Sequence, residues 1–424
     1  MSVRDHKTRT LVLTGMLHTF THLYHAALLP LYLLVQRDLN LGSVDKATSF
    51  VTVLLVAYYL PSYGLGVLAD HMSRKKLLVF GLGLNALAFV GLAFAPNYGS
   101  AMACVIVAGI GGSSYHPAAT AMIARLFPQN TGRALGLVGA GSGLGFFLGP
   151  LYTGWRAATL EPLLGPAAWR QPILEIGVAG IIAAGLFAWF AREETIVAGH
   201  EKKEMSAGKL FPTPALWFFF ILACLFISLR DFDSNGVASL TSLFLQNTRG
   251  FDTRHAGLAV SALCVGSIIG NPLLSSLSDR HRKRWITLVV GVGSLLIIFL
   301  PHVPAGWMFP YLFVYGFFFL AAFPIIETAL VQSVPDAVRG RVFGFYVMIT
   351  GVVGALAPWI IGLRMKFIAG TMHEERGYHG LFTALGCLGL LVLAGVPCLH
   401  AIRKREHLAD AAGPGCRVPT PEFK

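Results

Sequence analysis

Apolar runs of membrane length recur along this sequence, and the charged residues stand almost wholly between them. About 20 apolar residues suffice to cross the hydrocarbon layer as a helix, the one single-chain element that satisfies its own backbone hydrogen bonds there. By that measure, spans are expected near 11–36, 47–69, 77–95, 100–127, 134–155 and 172–191, then near 216–246, 255–278, 285–301, 307–334, 341–363 and 380–402. Twelve crossings, six and six, describe an all-α polytopic membrane protein. The expected parts are a six-helix bundle at 1–191, a cytoplasmic linker at 192–214, a second six-helix bundle at 215–402 and a cytoplasmic tail at 403–424.

Composition excludes the main alternatives. With 55% hydrophobic and 13% charged residues, the chain is too apolar for an ordinary soluble protein. A net charge of +12 raises the question of nucleic acid. A basic face on a soluble module would be needed, however, and here the cations sit in short loops. With the N-terminus placed in the cytoplasm, 23 of the 33 Lys and Arg fall on the inner segments and 9 on the outer, leaving Arg230 alone inside a span. The positive-inside rule therefore puts both termini in the cytoplasm of a multi-pass inner-membrane protein. The run from Leu11 is longer than a signal-peptide core, so the first span is expected to be retained. The six cysteines show neither redox nor zinc spacing.

The chain is also duplicated. Residues 66–76 place Asp70 ahead of Arg74, Lys75 and Lys76, and a degenerate copy places Asp279 ahead of Arg282, Lys283 and Arg284. Gly132 and Arg133 reappear as Gly340 and Arg341, Pro150 and Gly154 as Pro358 and Gly362, Pro117 and Pro128 as Pro324 and Pro335, at offsets of 207 or 208. Six spans return the chain to its starting side, so the repeats are parallel.

Three stretches carry a family resemblance. Gly66, Leu68, Ala69, Asp70, Ser73, Arg74 and Lys75 are similar to the signature loop between spans 2 and 3 of the major facilitator superfamily. Gly145, Gly149, Pro150 and Gly154 resemble its span-5 antiporter motif, and the duplicated loop at Arg133 and Arg341 also fits. Residues 18–31 and 111–119 look like the fosmidomycin-resistance-like branch. The acidic residue frequent in that branch's first span is His22 here, and the span-4 Arg of many proton-coupled antiporters is missing around Cys104. The resemblance implies a monomeric secondary transporter that works by alternating access.

Ionisable side chains at mid-membrane depth cost about 2.5–3.5 kcal/mol each on insertion scales, so those present are candidates for function. His18, His22 and His25 lie within about 60° on one face of span 1 and could form a titratable wall. Three histidines could also hold a metal, but span 1 adds no Cys or carboxylate to them, and no metal or other cofactor is expected. At an offset of 208, His22 falls on Arg230 and His25 on Asp233, so both halves are expected to turn polar groups toward a central cavity. Arg230 and Asp233, at i and i+3, can neutralise each other, leaving Asp231 to find another partner. Tyr115 and His116 beside Pro117, and Glu327 beside Pro324, are expected along the substrate path because proline frees carbonyls there.

Gly66, Asp70, Arg74, Lys75, Arg133, Asp279 and Arg341 are expected to act as a gate rather than a substrate site, with Gly145, Gly149, Pro150 and Gly154 packing helices. No nucleophile elbow, phosphate loop or metal-protease motif appears, so an enzyme is not expected. The function that follows is proton-coupled antiport, as efflux, of a small amphipathic or anionic solute. The partners are that solute, protons and the lipid bilayer. Uptake of an organic anion is the alternative, and a non-transporting sensor or scaffold the alternative of another class.

Overall fold

The computed structural model describes residues 3–192, 211, 213–334, 338–368, 370 and 374–411. Most of the expected linker and the end of the tail lie outside the described residues. Among those described, the regular elements are helices, with no strand. Span 1 comprises Val3–Ala26 and Tyr32–Asp38, span 2 Val44–Tyr59 and Ser62–His71, span 3 Arg74–Ala93, span 4 Tyr98–Ser113 and Tyr115–Leu126, span 5 Thr131–Leu164, and span 6 Arg170–Phe190. Span 7 is Pro214–Thr248, span 8 Thr253–Leu277, span 9 Arg282–Phe299, span 10 Met308–Phe319 and Ala322–Val331, span 11 Arg339–Ala355 and Ala357–Ile368, and span 12 Glu374–Leu391 and Gly395–Ala411.

Each of these interruptions has a proline at or just beyond it: Pro30, Pro61, Pro117, Pro324, Pro358 and Pro397. Proline lacks the N–H and crowds the carbonyl four residues back. Span 5 nevertheless runs unbroken through Pro150. Nine stretches of the described residues are long and apolar enough to cross a membrane, one of them (Thr131–Phe190) holding both spans 5 and 6. Spans 1 and 4, which carry the mid-membrane histidines, are not among the nine.

Packing partners repeat between the halves. Span 1 packs on span 5 and span 7 on span 11; span 3 on span 6 and span 9 on span 12; span 2 on span 4 and span 8 on span 10. The two six-helix bundles meet through span 5 against span 8 and span 11 against span 2, which is the same pairing with the halves exchanged. An even number of crossings brings the start of span 1 and the end of span 12 to one side, here termed the terminal face.

The opposite, far half is where the bundles are tied. At the break in span 1, the Leu29 and Pro30 carbonyls accept from span 7, from the Ser242 hydroxyl (2.7 Å) and the Gln246 amide (3.3 Å). The Tyr32 and Ser239 hydroxyls meet at 3.0 Å, Ser261 donates to the Phe147 carbonyl at 2.8 Å, and the Trp359 backbone N–H donates to the Thr52 hydroxyl at 3.1 Å. Where spans 5 and 8 cross, a side chain on Gly154 would sit 2.7 Å from the Thr253 carbonyl and 3.0 Å from the Gly257 Cα.

Within the N-terminal bundle, Asp38 locks the far ends of three spans. It accepts from the Trp169 indole (2.8 Å) and from Arg170 Nε (2.7 Å), while Arg170 also donates to the Ala93 and Ala95 carbonyls. Hydrogen bonds to a charged group are worth about 1.5–3 kcal/mol. Asp38→Ala is therefore expected to lower the thermal midpoint of the detergent-purified protein clearly. A midpoint equal to wild type would show that the lock contributes nothing.

Candidate functional site

Two stripes of accessible residues recur at matching positions of the two bundles. On span 4 they are His116, Pro117, Thr120, Ala121 and Ala124; on span 10 they are Phe323, Pro324, Glu327, Thr328 and Val331, the same positions displaced by 207. A lipid-facing stripe would be apolar, whereas these carry an imidazole, two hydroxyls and a carboxylate. Accessible polar groups at this depth mark the two stripes as candidate walls of a central cavity, on the terminal side of the contacts that tie the far half.

The N-bundle wall is built on span 1. His18 and His22, one turn apart, approach at 3.1 Å through their Nε2 atoms. His18 Nδ1 stands 2.8 Å from the Val138 carbonyl of span 5 and must donate to it, since a carbonyl only accepts. Tyr115 stacks on His18 with ring centroids 4.7 Å apart and anchors itself by donating to the Thr14 carbonyl at 2.8 Å. The exposed His116 ring reaches His18 and His22, at 5.1 and 5.6 Å between centroids. His25 joins the edge of this group, buried against Tyr58, and neither of its ring nitrogens has a hydrogen-bond partner. Gly145 makes the arrangement possible, since a Cβ there would stand 3.0 Å from that of His22 and 2.8 Å from the Leu23 amide nitrogen.

The C-bundle wall differs from the pairing expected above. Arg230, its side chain 1% exposed, binds its neighbour Asp231 at 2.9 Å rather than Asp233, and Glu327 of span 10 lies 3.8 Å away. The guanidinium also donates to the Phe323 carbonyl at 3.3 Å and sits 3.7 Å from the centre of the Phe323 ring. A buried cation held by carboxylates and an aromatic face is thereby compensated. The contact repeats across the duplication: His22 meets His116 in one half, and Arg230 meets Phe323 at the matching positions of the other. One guanidinium faces two carboxylates, so with both ionised the trio is one positive charge short of neutral.

Asp233 does not join the cavity. It is fully buried beside Ser294 of span 9 and Gly389 of span 12, and neither carboxylate oxygen has a hydrogen-bond partner. Span 7 is enclosed on several sides, so turning toward Arg230 on a helical wheel does not amount to turning toward water. Tyr58, Tyr59, Phe146 and Phe323 also stand at these walls, beyond the site residues expected from sequence. Tyr59, of span 2, lays its ring on Gly351 next to the Arg230 trio, and Phe146 covers His22 at 4.6 Å. Two tyrosines side by side in an apolar run just before Pro61 were the available signal.

Among the expected gate residues, the Asp70 side chain lies outside the described residues. Gly66 approaches Pro117, Arg74 is buried, Lys75 half-buried and Arg133 exposed. Asp279 pairs with the buried Arg282 at 2.8 Å on its own turn, and Arg341 is partly buried at the start of span 11. Gly145 and Gly149 pack on span 1, while Gly154 and the Pro150 carbonyl meet Gly257 of span 8. A separate hollow of about 490 Å3 opens on the far side around Arg37, Glu161, Gln246 and Asp252, away from both walls.

The family model of the Major Facilitator Superfamily matches residues 11–358. The chain is 25% identical to the cyanate transport protein CynX of Escherichia coli over 356 residues, covering 81% of this chain and 86% of that one. It is 26% identical to the multi-drug resistance efflux pump PmrA of Streptococcus pneumoniae, over 81% of this chain and 85% of the pump. It is 22% identical to the fosmidomycin resistance protein of Escherichia coli, over 82% and 84%. Among solved structures, the inward-facing, unoccupied form of a bacterial homologue of the human lysosomal transporter Spinster superposes with a TM-score of 0.72. That alignment covers 97% of this chain and 99% of that one, at 15% identity.

Proposed function

Because the chain belongs to the Major Facilitator Superfamily, we propose that its cavity exchanges protons for a small amphipathic or anionic solute, which it exports across the cell inner membrane. The terminal face is then cytoplasmic, and the two bundles rock about the cavity so that it opens to each side in turn. The observation that carries this reading is the Arg230, Asp231 and Glu327 trio, one positive charge short of neutral at the cavity wall. Asp231 is the closer carboxylate and 14% exposed; Glu327 is more distant and 34% exposed, which makes it the exchangeable one. A proton on Glu327 neutralises the trio for closure. A solute whose cationic or hydrogen-bond-donating group engages Glu327 makes the proton unnecessary, and that competition is the condition for exchange; an anion on Arg230 adds negative charge and keeps the proton, which is the condition for uptake. The histidines of the opposite wall offer the solute a second, aromatic and hydrogen-bonding side.

The test is transport by purified protein in liposomes under an imposed pH gradient, using a solute first identified by its thermal stabilisation of the protein. Glu327→Gln, neutral at every pH, is expected to bind that solute and to lose the response to the gradient. A gradient-driven rate equal to wild type in this variant would reject Glu327 as the proton carrier. Uptake of a small anion is the second reading, favoured by the buried guanidinium and by the similarity to a cyanate transport protein. Solute accumulation in cells with and without the protein separates the two, falling for efflux and rising for uptake.

A further inference from the structure

We propose that His18, His22 and His116 form a binding site for one divalent cation of borderline softness, such as Zn2+, Co2+, Ni2+ or Cu2+, on the N-bundle wall of the cavity. A ligand nitrogen from each of the three rings lies within 4.8 Å of the other two, and the His18 and His22 Nε2 atoms are 3.1 Å apart. Nitrogens bound to one tetrahedral metal at about 2.0–2.1 Å stand roughly 3.3 Å from each other. The span-1 pair is therefore already at ligand spacing. The exposed His116 ring closes the remaining gap by turning about its own side-chain bonds.

The tautomer is also set. With Nδ1 of His18 donating to the Val138 carbonyl, its Nε2 carries the lone pair and points at His22. An imidazole whose outer nitrogen donates to a carbonyl is the usual support of a metal ligand, since it fixes the ring and raises its basicity. His22 Nδ1 is buried without a partner, so the hydrogen bonding of that ring is confined to the nitrogen facing His18. Three neutral imidazoles suit borderline cations and disfavour Mg2+ and Ca2+, which take oxygen ligands. Three protein ligands leave a fourth position. The exposure of His116 turns that position to the cavity, where water or a donor atom of the solute fills it.

The sequence expectation of no metal weighed span 1 alone; the third ligand arrives from span 4, through the kink before Pro117. The site is independent of the proton exchange proposed above. Its test is a titration of the full-length protein, purified in detergent through a histidine-free tag, with Co2+ alone. One equivalent per chain is expected, with the intense visible absorption of four-coordinate cobalt, displaced by Zn2+. His116→Ala removes an exposed ligand, so the fold should persist while affinity falls at least tenfold. His255→Ala, in the first turn of span 8 on the far side where that side chain is 53% exposed, should leave binding unchanged. Absence of stoichiometric binding, only the weak bands of six-coordinate cobalt, or equal affinity in His116→Ala would each overturn the site. A protein that exchanges protons but fails this titration loses the metal site alone, and one that binds Co2+ but moves no protons loses the transport reading alone.

Discussion

Arg230→Ala is expected to abolish transport and to destabilise the protein more than any other single change in the cavity wall. The guanidinium is buried, bonded to Asp231, close to Glu327 and stacked on Phe323. Its removal leaves Asp231 without that partner at mid-depth and Glu327 without its nearby cation. Breaking a buried pair by deleting one partner typically costs about 3–5 kcal/mol. The measurement is the thermal midpoint in detergent, together with solute-driven proton movement in liposomes. Arg230→Lys keeps the charge but loses the planar contact to the Phe323 ring and the fork that reaches Asp231 and the Phe323 carbonyl together, so partial stability without full transport is expected. Arg230→Met combined with Asp231→Asn removes the charges together and should recover much of the midpoint while transport stays lost. If Arg230→Ala transports at the wild-type rate, the trio is not the coupling centre.

Gly257→Val should change which way the cavity faces. A Cβ at Gly257 would stand 3.1 Å from the Gly154 Cα and overlap the Pro150 carbonyl, both in span 5 on the far half. Overpacking of this kind costs about 1–3 kcal/mol, and each 1.4 kcal/mol moves a two-state equilibrium tenfold. The cost falls on the far-closed state described here and is relieved once the bundles part on that side. A cysteine in place of the buried Ser239, in a background free of other cysteines, should therefore gain reactivity toward a membrane-impermeant thiol reagent added from the far side. Transport should fall because the carrier dwells in one orientation. Unchanged labelling together with unchanged transport would mean that the crossing of spans 5 and 8 does not control the seal.

The helices were legible because apolarity over membrane length leaves the backbone few choices, and most interruptions were legible from proline. Pro150 shows the limit, since span 5 passes through it unbroken while clamped between span 1 and span 8. Within the site, the duplication offset did more than any single motif. It matched His22 to Arg230, and each meets the residue that the same duplication pairs, His116 or Phe323.

What the sequence did not disclose was which neighbours stand around each helix. A wheel assigned Arg230 to Asp233, but the long arginine side chain reaches Asp231 and across to span 10, while Asp233 turns toward spans 9 and 12. Likewise Tyr59 enters the site from a span whose approach no local pattern encodes, and the span-1 neighbours of His116, a residue that Pro117 did point to, are set by tertiary packing. Those positions follow from tertiary packing, where a displacement of one residue along a helix moves a side chain to another face.

The ties between the bundles that close the far half are hydroxyl, amide and carbonyl contacts and glycine backbones in touch. Such contacts are short-ranged and neutral, so dissolved ions do not screen them as they screen paired charges. Solutions of high and low ionic strength would thus find this face equally shut, with its opening left to whatever occupies the interior.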